Sequence, residues 1–164
     1  MIRLKKISAE NLWDVVDLRV KKEQKNFVAA NANSLLEAYL AAGSDCTAFP
    51  FAIYDDKKLV GFLMIGYNEA AMYELYGEKA PEILRNNYSL WRFMIDRKYQ
   101  NRGYGREALR LALDFVRTLP CGEAEYCELS YEPENTVARD LYRSFGFVET
   151  GDRDGDEIIA VLKL

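Results

Sequence analysis

The residues best suited to chemistry form one short segment, Gln100-Asn101-Arg102-Gly103-Tyr104-Gly105. Its two glycines remove the side chains that keep a ligand away from the backbone, and they allow positive φ in a turn. The segment follows an apolar strand candidate and opens onto an amphipathic helix, whose first N–H groups have no partner within the helix and lie at the positive end of its dipole. The surrounding residues are basic: Arg97, Lys98, Arg102, Arg106 and Arg110. The pattern therefore predicts a turn that binds an anion, above all a phosphate.

Two common phosphate-binding motifs do not fit this turn. A P-loop requires Lys-Ser/Thr after its second glycine, and the chain has Arg106-Glu107 there. A dinucleotide-binding fingerprint places its first glycine directly after a strand, whereas polar residues separate Gly103 from the predicted strand at 90–95. The remaining alternative is an ordinary glycine turn beside a solvated basic face.

A second set of functional residue types lies on a helix predicted after Pro133-Glu134-Asn135. One stripe of this helix has the composition of a ligand-binding edge, with an amide, a small residue, a cation and a phenol: Asn135, Ala138, Arg139 and Tyr142. Another stripe is expected to face the core: Val137, Leu141, Ser144 and Phe145. The alternative for Tyr142 is a packed core aromatic without a chemical role.

The two motifs together resemble the GNAT superfamily of N-acetyltransferases. The turn matches its pattern Gln/Arg-x-x-Gly-x-Gly/Ala, and the helix reads Asn135-x-x-Ala138-x-x-Leu141-Tyr142-x-x-Phe145-Gly146-Phe147. The resemblance implies acetyl-CoA as cosubstrate, with its pyrophosphate on the turn, its pantetheine arm on Asn135 and Tyr142 as the general acid. The cofactor-binding residues are then expected to be Phe93, Met94, Ile95, Gln100, Asn101, Arg102, Gly103, Tyr104, Gly105, Arg106, Asn135 and Tyr142.

The chain contains no histidine. Ser-His-Asp and Cys-His nucleophile systems are thereby excluded, and the commonest metal ligand is missing, so we expect no metal. Direct transfer of an acetyl group from a thioester to an amine needs neither. Backbone N–H groups of the predicted strand at 93–95 would stabilise the tetrahedral oxyanion, and Tyr142 would protonate the departing sulfur.

The acceptor is suggested by charge. Acidic residues without an intervening Lys or Arg surround the strand predicted at 126–131: Glu123, Glu125, Glu128, Glu132 and Glu134. A cationic acceptor is one interpretation, and a solvated acidic face that keeps the protein soluble is the other. The segments 23–31, 91–96 and 129–135 are similar to bacterial spermine/spermidine (diamine) acetyltransferases, which implies a polyamine acceptor.

The general base stays open at this stage. Animal polyamine acetyltransferases have a carboxylate where this chain has Trp91, so that role does not carry over. The substrate-binding candidates are Glu23, Glu74, Trp91, Glu128 and Glu132, and a water relayed to one of the four carboxylates would replace the missing base. Other acceptors remain open, namely a protein N-terminus, a lysine side chain, an aminoglycoside or another small amine, as does an acetyl-CoA sensor without turnover.

The remaining segments predict one α/β (α+β) domain over residues 1–164. Apolar or alternating runs predict strands at 2–7, 51–54, 59–67, 90–95, 126–131, 147–150 and 157–164. Helices are expected after Ser8, after Asn33 or Ser34, over 104–119 and over 135–145, and residues 69–86 form a partly helical segment. Together with the resemblance, this order predicts a GNAT-like, mixed and mostly antiparallel sheet of about seven strands flanked by about four helices.

Composition excludes several classes of protein. A length of 164 residues with 49% hydrophobic residues suits a single domain with a substantial core. A net charge of −4 makes nucleic acid a poor partner, and no apolar run approaches membrane length. The absence of an apolar run of membrane length predicts a soluble, cytoplasmic protein. Three cysteines without paired spacing predict free thiols. The sequence leaves the oligomeric state open and is compatible with a homodimer.

Overall fold

Seven strands form one sheet in the computed structural model, which describes all of residues 1–164. The strands are β1 (Ile2–Lys6), β2 (Thr47–Asp55), β3 (Lys58–Tyr67), β4 (Tyr88–Ile95), β5 (Tyr126–Tyr131), β6 (Val148–Asp154) and β7 (Glu157–Lys163). Their order across the sheet is β1-β2-β3-β4-β5-β7-β6. Every neighbouring pair is antiparallel except β4–β5, which is parallel. The predicted fold class, a mixed and mostly antiparallel sheet with helices, is confirmed.

The helices are α1 (Leu12–Val16), α2 (Asn31–Ala41), α3 (Ala70–Leu75), α4 (Tyr104–Arg117) and α5 (Thr136–Ser144), with 3-10 turns at Lys22–Gln24 and Glu82–Leu84. Five helices replace the expected four, because α3 forms within the segment left partly helical. The predicted start of α2 at Asn33 or Ser34 is wrong. The buried Asn31 side chain donates to the Val15 carbonyl oxygen at 2.8 Å, and this tertiary bond fixes Asn31 in the first turn of α2. No helix is long and apolar enough to cross a membrane.

Alternation along β5 separates two environments. Cys127, Leu129 and Tyr131 belong to the largest hydrophobic cluster, which also holds the buried face of α4. Glu128 and Ser130 point to the opposite face, because successive side chains of a strand alternate. The sheet therefore carries an apolar layer against α4 and a layer with polar groups on its other side.

The parallel pair β4–β5 is short. Only Tyr88 with Cys127 and Ser89 with Glu128 are register partners, and beyond them the two strands part. A β-bulge lies at the same place on the other side of β4, where Trp91 is the extra residue between Leu90 and Arg92 against β3. Bulges bend a strand and redirect its side chains. Both irregularities open the middle of the sheet.

Candidate active site

The gap between β4 and β5 belongs to one large cavity of about 860 Å³. Its lining combines the second half of β4, the turn before α4, one face of α5, residues 24–29, part of α3, and acidic side chains from the N-cap of α3 and from β5, β6 and β7. Cavities of this size that pass between secondary elements are the usual form of cofactor and substrate sites.

The glycine turn reaches this cavity at the start of α4. Gly103 is the N-cap residue with φ 80°, and no side chain caps the helix. The first N–H groups of α4 are thus left for a ligand. The Gln100 amide holds the turn against β4 by donating to the Ile95 carbonyl oxygen at 3.0 Å and to Gln24 Oε1 at 2.8 Å. An anion on the cavity side of α4 would meet backbone donors rather than side chains.

Gly105 allows a ligand to approach the turn closely, and two arginines add positive charge beside it. A Cβ on Gly105 would lie 3.8–3.9 Å from Leu141, Ile95 and Phe93, which is ordinary van der Waals contact, so the fold itself does not require glycine there. Arg102 and Arg106 are exposed beside the turn, where their guanidinium groups lie over the rings of Tyr99 and Phe145. They supply positive charge near the cavity without lining it.

The second half of β4 lines the cavity with Phe93, Met94 and Ile95. Beyond Ser89 its β5-facing backbone groups have no strand partner, since the β4–β5 ladder has ended. Unpaired N–H groups of a strand can stabilise a developing oxyanion when they face it. The half-buried Trp91 at the bulge forms part of the same wall.

Helix α5 presents Asn135, Ala138 and Tyr142 to the cavity. Asn135 caps the helix, because its side-chain oxygen accepts from the Ala138 N–H at 3.3 Å. Tyr142 is 8% exposed and packs against Tyr131 and Phe147, with ring centroids 5.8 and 5.9 Å away. Val137, which the sequence placed on the core face, is instead 74% exposed at the mouth of the cavity.

Tyr142 is well placed to stay protonated. Its burial, together with the charges of Glu157 and Tyr131, raises the pKa of the phenol above its ordinary value. No protein group accepts a hydrogen bond from the Tyr142 hydroxyl, in contrast to Tyr131, whose hydroxyl donates to Glu149 at 2.7 Å. The Tyr142 proton is therefore free to be given to a ligand.

The other end of the cavity is acidic. Four carboxylates line it in addition to the paired Glu37: Glu69 at the N-cap of α3, Glu128 of β5, Asp154 of β6 and Glu157 of β7. Ser89 Oγ donates to Glu69 at 2.7 Å, the Tyr73 hydroxyl donates to Asp154, and Ser130 Oγ donates to Glu157. Glu128 is 4% exposed, and its carboxylate accepts no hydrogen bond from the protein. The nearest cation, Arg92, is itself paired with Glu37 at 2.9 Å.

Burial makes these carboxylates hard to ionise. Burial raises the pKa of Glu69 to about 7, although the hydrogen bond from Ser89 and the charge of Arg92 lower it in part. Burial also raises the pKa of Glu128 well above its usual value, and the nearby charges of Glu69, Asp154 and Glu157 add to the effect. The pKa of Glu157 is raised for the same first reason. The carboxylates at this end of the cavity thus lack a cation to balance their negative charge, and a bound cation would stabilise their ionised forms.

The structure brings together most of the residues predicted from the sequence, but not all. Those that line the cavity are Trp91, Phe93, Met94, Ile95, Gln100, Asn101, Tyr104, Gly105, Glu128, Asn135 and Tyr142. Those outside its lining are Glu23, Glu74, Arg102, Gly103, Arg106 and Glu132. Glu23 is exposed on the 3-10 turn, and Glu74 is an exposed partner of Arg85 at 2.9 Å.

Five acidic residues of the cavity lining were missed in the sequence: Glu37, which pairs with Arg92, Glu78, and the three that form the acidic end, Glu69, Asp154 and Glu157. Of these last three, Glu69 immediately precedes α3, and the other two lie in the β6–β7 hairpin. No short motif connects them, because they meet Glu128 only through the order of strands in the sheet. The one local signal was the acidic surroundings of β5.

Known proteins resemble this chain in sequence and in fold. A model of the acetyltransferase (GNAT) family matches residues 12–147. The spermine/spermidine N(1)-acetyltransferase of Bacillus subtilis (strain 168) is 29% identical over 154 residues, which cover 93% of this chain and 91% of that enzyme.

Two solved structures share the fold. The spermidine N-acetyltransferase of Vibrio cholerae in complex with CoA and spermine has a TM-score of 0.66 at 16% identity, over 99% of this chain and 94% of that one. An aminoglycoside acetyltransferase in complex with coenzyme A and kanamycin has a TM-score of 0.75 at 12% identity, over 99% and 95% of the two chains.

The buried carboxylates predict a particular dependence of stability on pH. A group whose pKa is raised by folding contributes stability that is complete below its unfolded pKa and is lost as the pH rises through its folded pKa. For Glu69 this window runs from 4.5 to about 7. The melting temperature of the ligand-free protein should therefore fall between pH 5.5 and pH 8.

The variants Glu69→Gln and Glu128→Gln should reduce this fall and melt higher than the parent at pH 8, since an amide carries no charge to bury. Each 1 kcal/mol corresponds to roughly 2–4 °C in a domain of this size. Scanning calorimetry at the two pH values measures the effect, with the exposed Glu123→Gln as the matched control. If the melting temperature falls equally between pH 5.5 and pH 8 in the parent and in all three variants, the expectation of a buried charge at positions 69 and 128 is contradicted.

Proposed function

The chain belongs to the acetyltransferase (GNAT) family, and from this premise we propose that it transfers the acetyl group of acetyl-CoA directly to a primary amine of a polyamine such as spermidine or spermine. The observation that carries the proposal is one cavity that connects two parts of the protein through the β4–β5 gap. One part is the turn with free N–H groups at the start of α4, and the other is an acidic chamber, lined by Glu69, Glu128, Asp154 and Glu157. Both substrates would occupy that cavity together in a ternary complex.

Acetyl-CoA is proposed to bind from the α4 side. Its pyrophosphate would rest on the uncapped N-terminus of α4, with Arg102 and Arg106 adding charge at the surface. Its pantetheine arm would pass between β4 and α5, where Asn135 keeps an amide N–H₂ for hydrogen bonding after capping the helix. This path leads the thioester into the gap beside Phe93, Met94 and Ile95.

The transfer of the acetyl group would depend on backbone N–H groups of β4 and on the phenol of Tyr142. The unpaired N–H groups of β4 would stabilise the oxyanion that forms when the amine attacks the thioester carbonyl. Tyr142 would then protonate the sulfur as the C–S bond breaks, which suits a phenol that is kept neutral by burial.

The polyamine acceptor is supported by the charge of the far end. The Arg92–Glu37 pair is internally neutral, so the four cavity carboxylates have no other cation among the residues that line this end. A molecule with several ammonium groups matches several buried carboxylates better than a monoamine does. The Bacillus and Vibrio proteins, named for spermine and spermidine, point the same way.

An aminoglycoside is the second candidate. It is also a polycation, and the solved structure with kanamycin has this fold. Three free cysteines are compatible with the cytoplasmic location that belongs to the proposal. A panel of amines with acetyl-CoA, read by release of the free thiol, tests the activity and separates the two acceptor classes.

Enlarging Gly105 should weaken acetyl-CoA binding while the fold persists. Gly105→Ala adds a Cβ in ordinary contact with its neighbours and should have a small effect. Gly105→Val adds two more methyl groups at the cavity wall and should weaken binding by at least tenfold, roughly 1.4 kcal/mol. Isothermal titration calorimetry with acetyl-CoA measures the graded loss. Unchanged affinity in a folded Val variant would remove the cofactor from this wall.

Removing the Tyr142 hydroxyl should slow turnover and spare cofactor binding. Tyr142→Phe keeps the packed ring, so affinity for acetyl-CoA should change little, while kcat should fall by ~10²–10⁴-fold as for other positioned general acids. Tyr131→Phe is the comparison, because that neighbouring hydroxyl is engaged by Glu149. If both variants turn over at similar rates, Tyr142 is a packing residue.

The acceptor preference should depend on cavity carboxylates and on salt. We expect kcat/KM to be higher for spermidine than for butylamine. Added salt should reduce the ratio of the two kcat/KM values, because it screens charge interactions. Asp154→Asn or Glu157→Gln should reduce the preference by roughly tenfold, about 1.4 kcal/mol, and Glu132→Gln, outside the lining, should reduce it less. A parent that prefers kanamycin, or that shows no polyamine preference, would reject this acceptor.

A further inference from the structure

The sheet separates Tyr142 from a pair of buried carboxylates. Tyr142 packs in the α4-side cluster together with Leu129 and Tyr131 of β5. Glu128 directly precedes Leu129 on the alternating strand and so points to the other face. Because β4 and β5 part beyond Ser89, the cavity passes through the sheet and touches both groups.

Glu69 and Glu128 meet at the point where the gap begins. Ser89 and Glu128 form the last register pair of β4 and β5, and Ser89 Oγ donates to Glu69 Oε2 at 2.7 Å. Gly66 makes room for this arrangement, since a Cβ there would lie 2.5 Å from Ser89 Oγ and 3.6 Å from Glu69 Oε2. Three polar residues from separate parts of the chain therefore lie close together: Glu69 at the N-cap of α3, Ser89 of β4 and Glu128 of β5.

Glu128 carries an independent sign of ligand binding. It is 4% exposed, its carboxylate accepts no hydrogen bond from the protein, and it lines the cavity. A carboxylate so buried is costly unless something pairs with it. Asp154 and Glu157 differ, because each accepts a hydrogen bond from a neighbouring hydroxyl.

We propose that Glu69 and Glu128 act as one proton-accepting pair, which removes a proton from the acceptor ammonium on the face of the sheet opposite Tyr142. The assignment rests on the proposed amine acetylation. It identifies a base that was left open among Glu23, Glu74, Glu128 and Glu132, and it adds a residue, Glu69, that the sequence did not suggest. Ser89 is a positioning residue, since it acts through Glu69.

The reaction needs such a base. An alkylammonium has a pKa of ~10.4, so fewer than about one molecule in a thousand is a free amine at neutral pH. Two carboxylates held close together in a poorly solvated site do not both ionise readily, so the pair retains one proton and accepts another. The charged or titratable groups that face the pair are Arg92 and Glu37 at the β4–α2 side, Tyr73 on α3, and Asp154 and Glu157 on the β6–β7 hairpin.

The protons balance in this scheme. The pair takes one proton from R–NH₃⁺, and the free amine attacks the acetyl carbonyl to form the C–N bond. The C–S bond breaks as Tyr142 gives its proton to the thiolate. The nitrogen loses a second proton, which restores the phenol, so the net products are the amide, the free thiol of CoA and one proton released from the pair.

The test compares two acceptors of similar size that differ in basicity. Propylamine is protonated at pH 7.5, whereas a fluorinated alkylamine such as 2,2,2-trifluoroethylamine is already neutral and needs no base before attack. Glu69→Gln and Glu128→Gln should lower kcat for propylamine by ~10²–10⁴-fold and leave the fluorinated amine little changed. Raising the pH should restore activity with propylamine. Glu123→Gln, exposed and remote from the lining, is the matched control.

Other outcomes have distinct meanings. An equal loss with both amines, or no loss with either, would overturn the base pair. A rise in KM for spermidine at constant kcat would make the two residues charge-binding groups only, which also overturns it and leaves the polyamine proposal intact. A parent that acetylates no amine would reject the proposed function instead.

The pH profile of the parent protein provides a test that does not depend on a folded Glu69 or Glu128 variant. The acidic limb of its pH profile of kcat should be present with propylamine and absent with the fluorinated amine. Ser89→Ala should move that limb to higher pH, because it removes a hydrogen bond that favours the ionised form of Glu69. A limb shared by both amines would contradict the pair.

Discussion

Parallel pairing between β4 and β5 lasts for two residue pairs and then stops. Continued pairing would satisfy the backbone groups of both strands and close the sheet. The parting instead leaves polar backbone along β4, of which the Ile95 carbonyl is satisfied by Gln100. The glycine turn, α5 and the acidic chamber all reach the same cavity only because the sheet is open at this point.

An opening through the sheet also solves a geometric problem of acyl transfer. The proton must leave the amine on one side of the carbonyl carbon and reach the sulfur on the other. A site on one face of a closed sheet would crowd the proposed acid, Tyr142, and the proposed base, Glu128, together. Here the alternation of β5 places Glu128 on one face and the cluster that holds Tyr142 on the other.

The acidic chamber is costly to the ligand-free protein. Its carboxylates come from separate elements, burial disfavours their charged forms, and Arg92 is already paired with Glu37. Even Arg92 is imperfectly satisfied, since its buried Nε has no hydrogen-bond partner. Functional sites commonly retain such unfavourable electrostatics, because a bound ligand of the opposite charge offsets them.

Local sequence patterns were sufficient to predict most of the strands and helices, the turn at Gly103 and Gly105, and the stripe that carries Asn135 and Tyr142. These features are local: hydrophobic periodicity, glycine content and helical spacing express themselves within a few residues. The start of α2, the exposure of Val137 and the meeting of Glu69 with Glu128 were decided by the tertiary structure. Glu69 and Glu128 are 59 positions apart in the chain, and only the order of strands in the sheet and the end of the β4–β5 ladder bring them together.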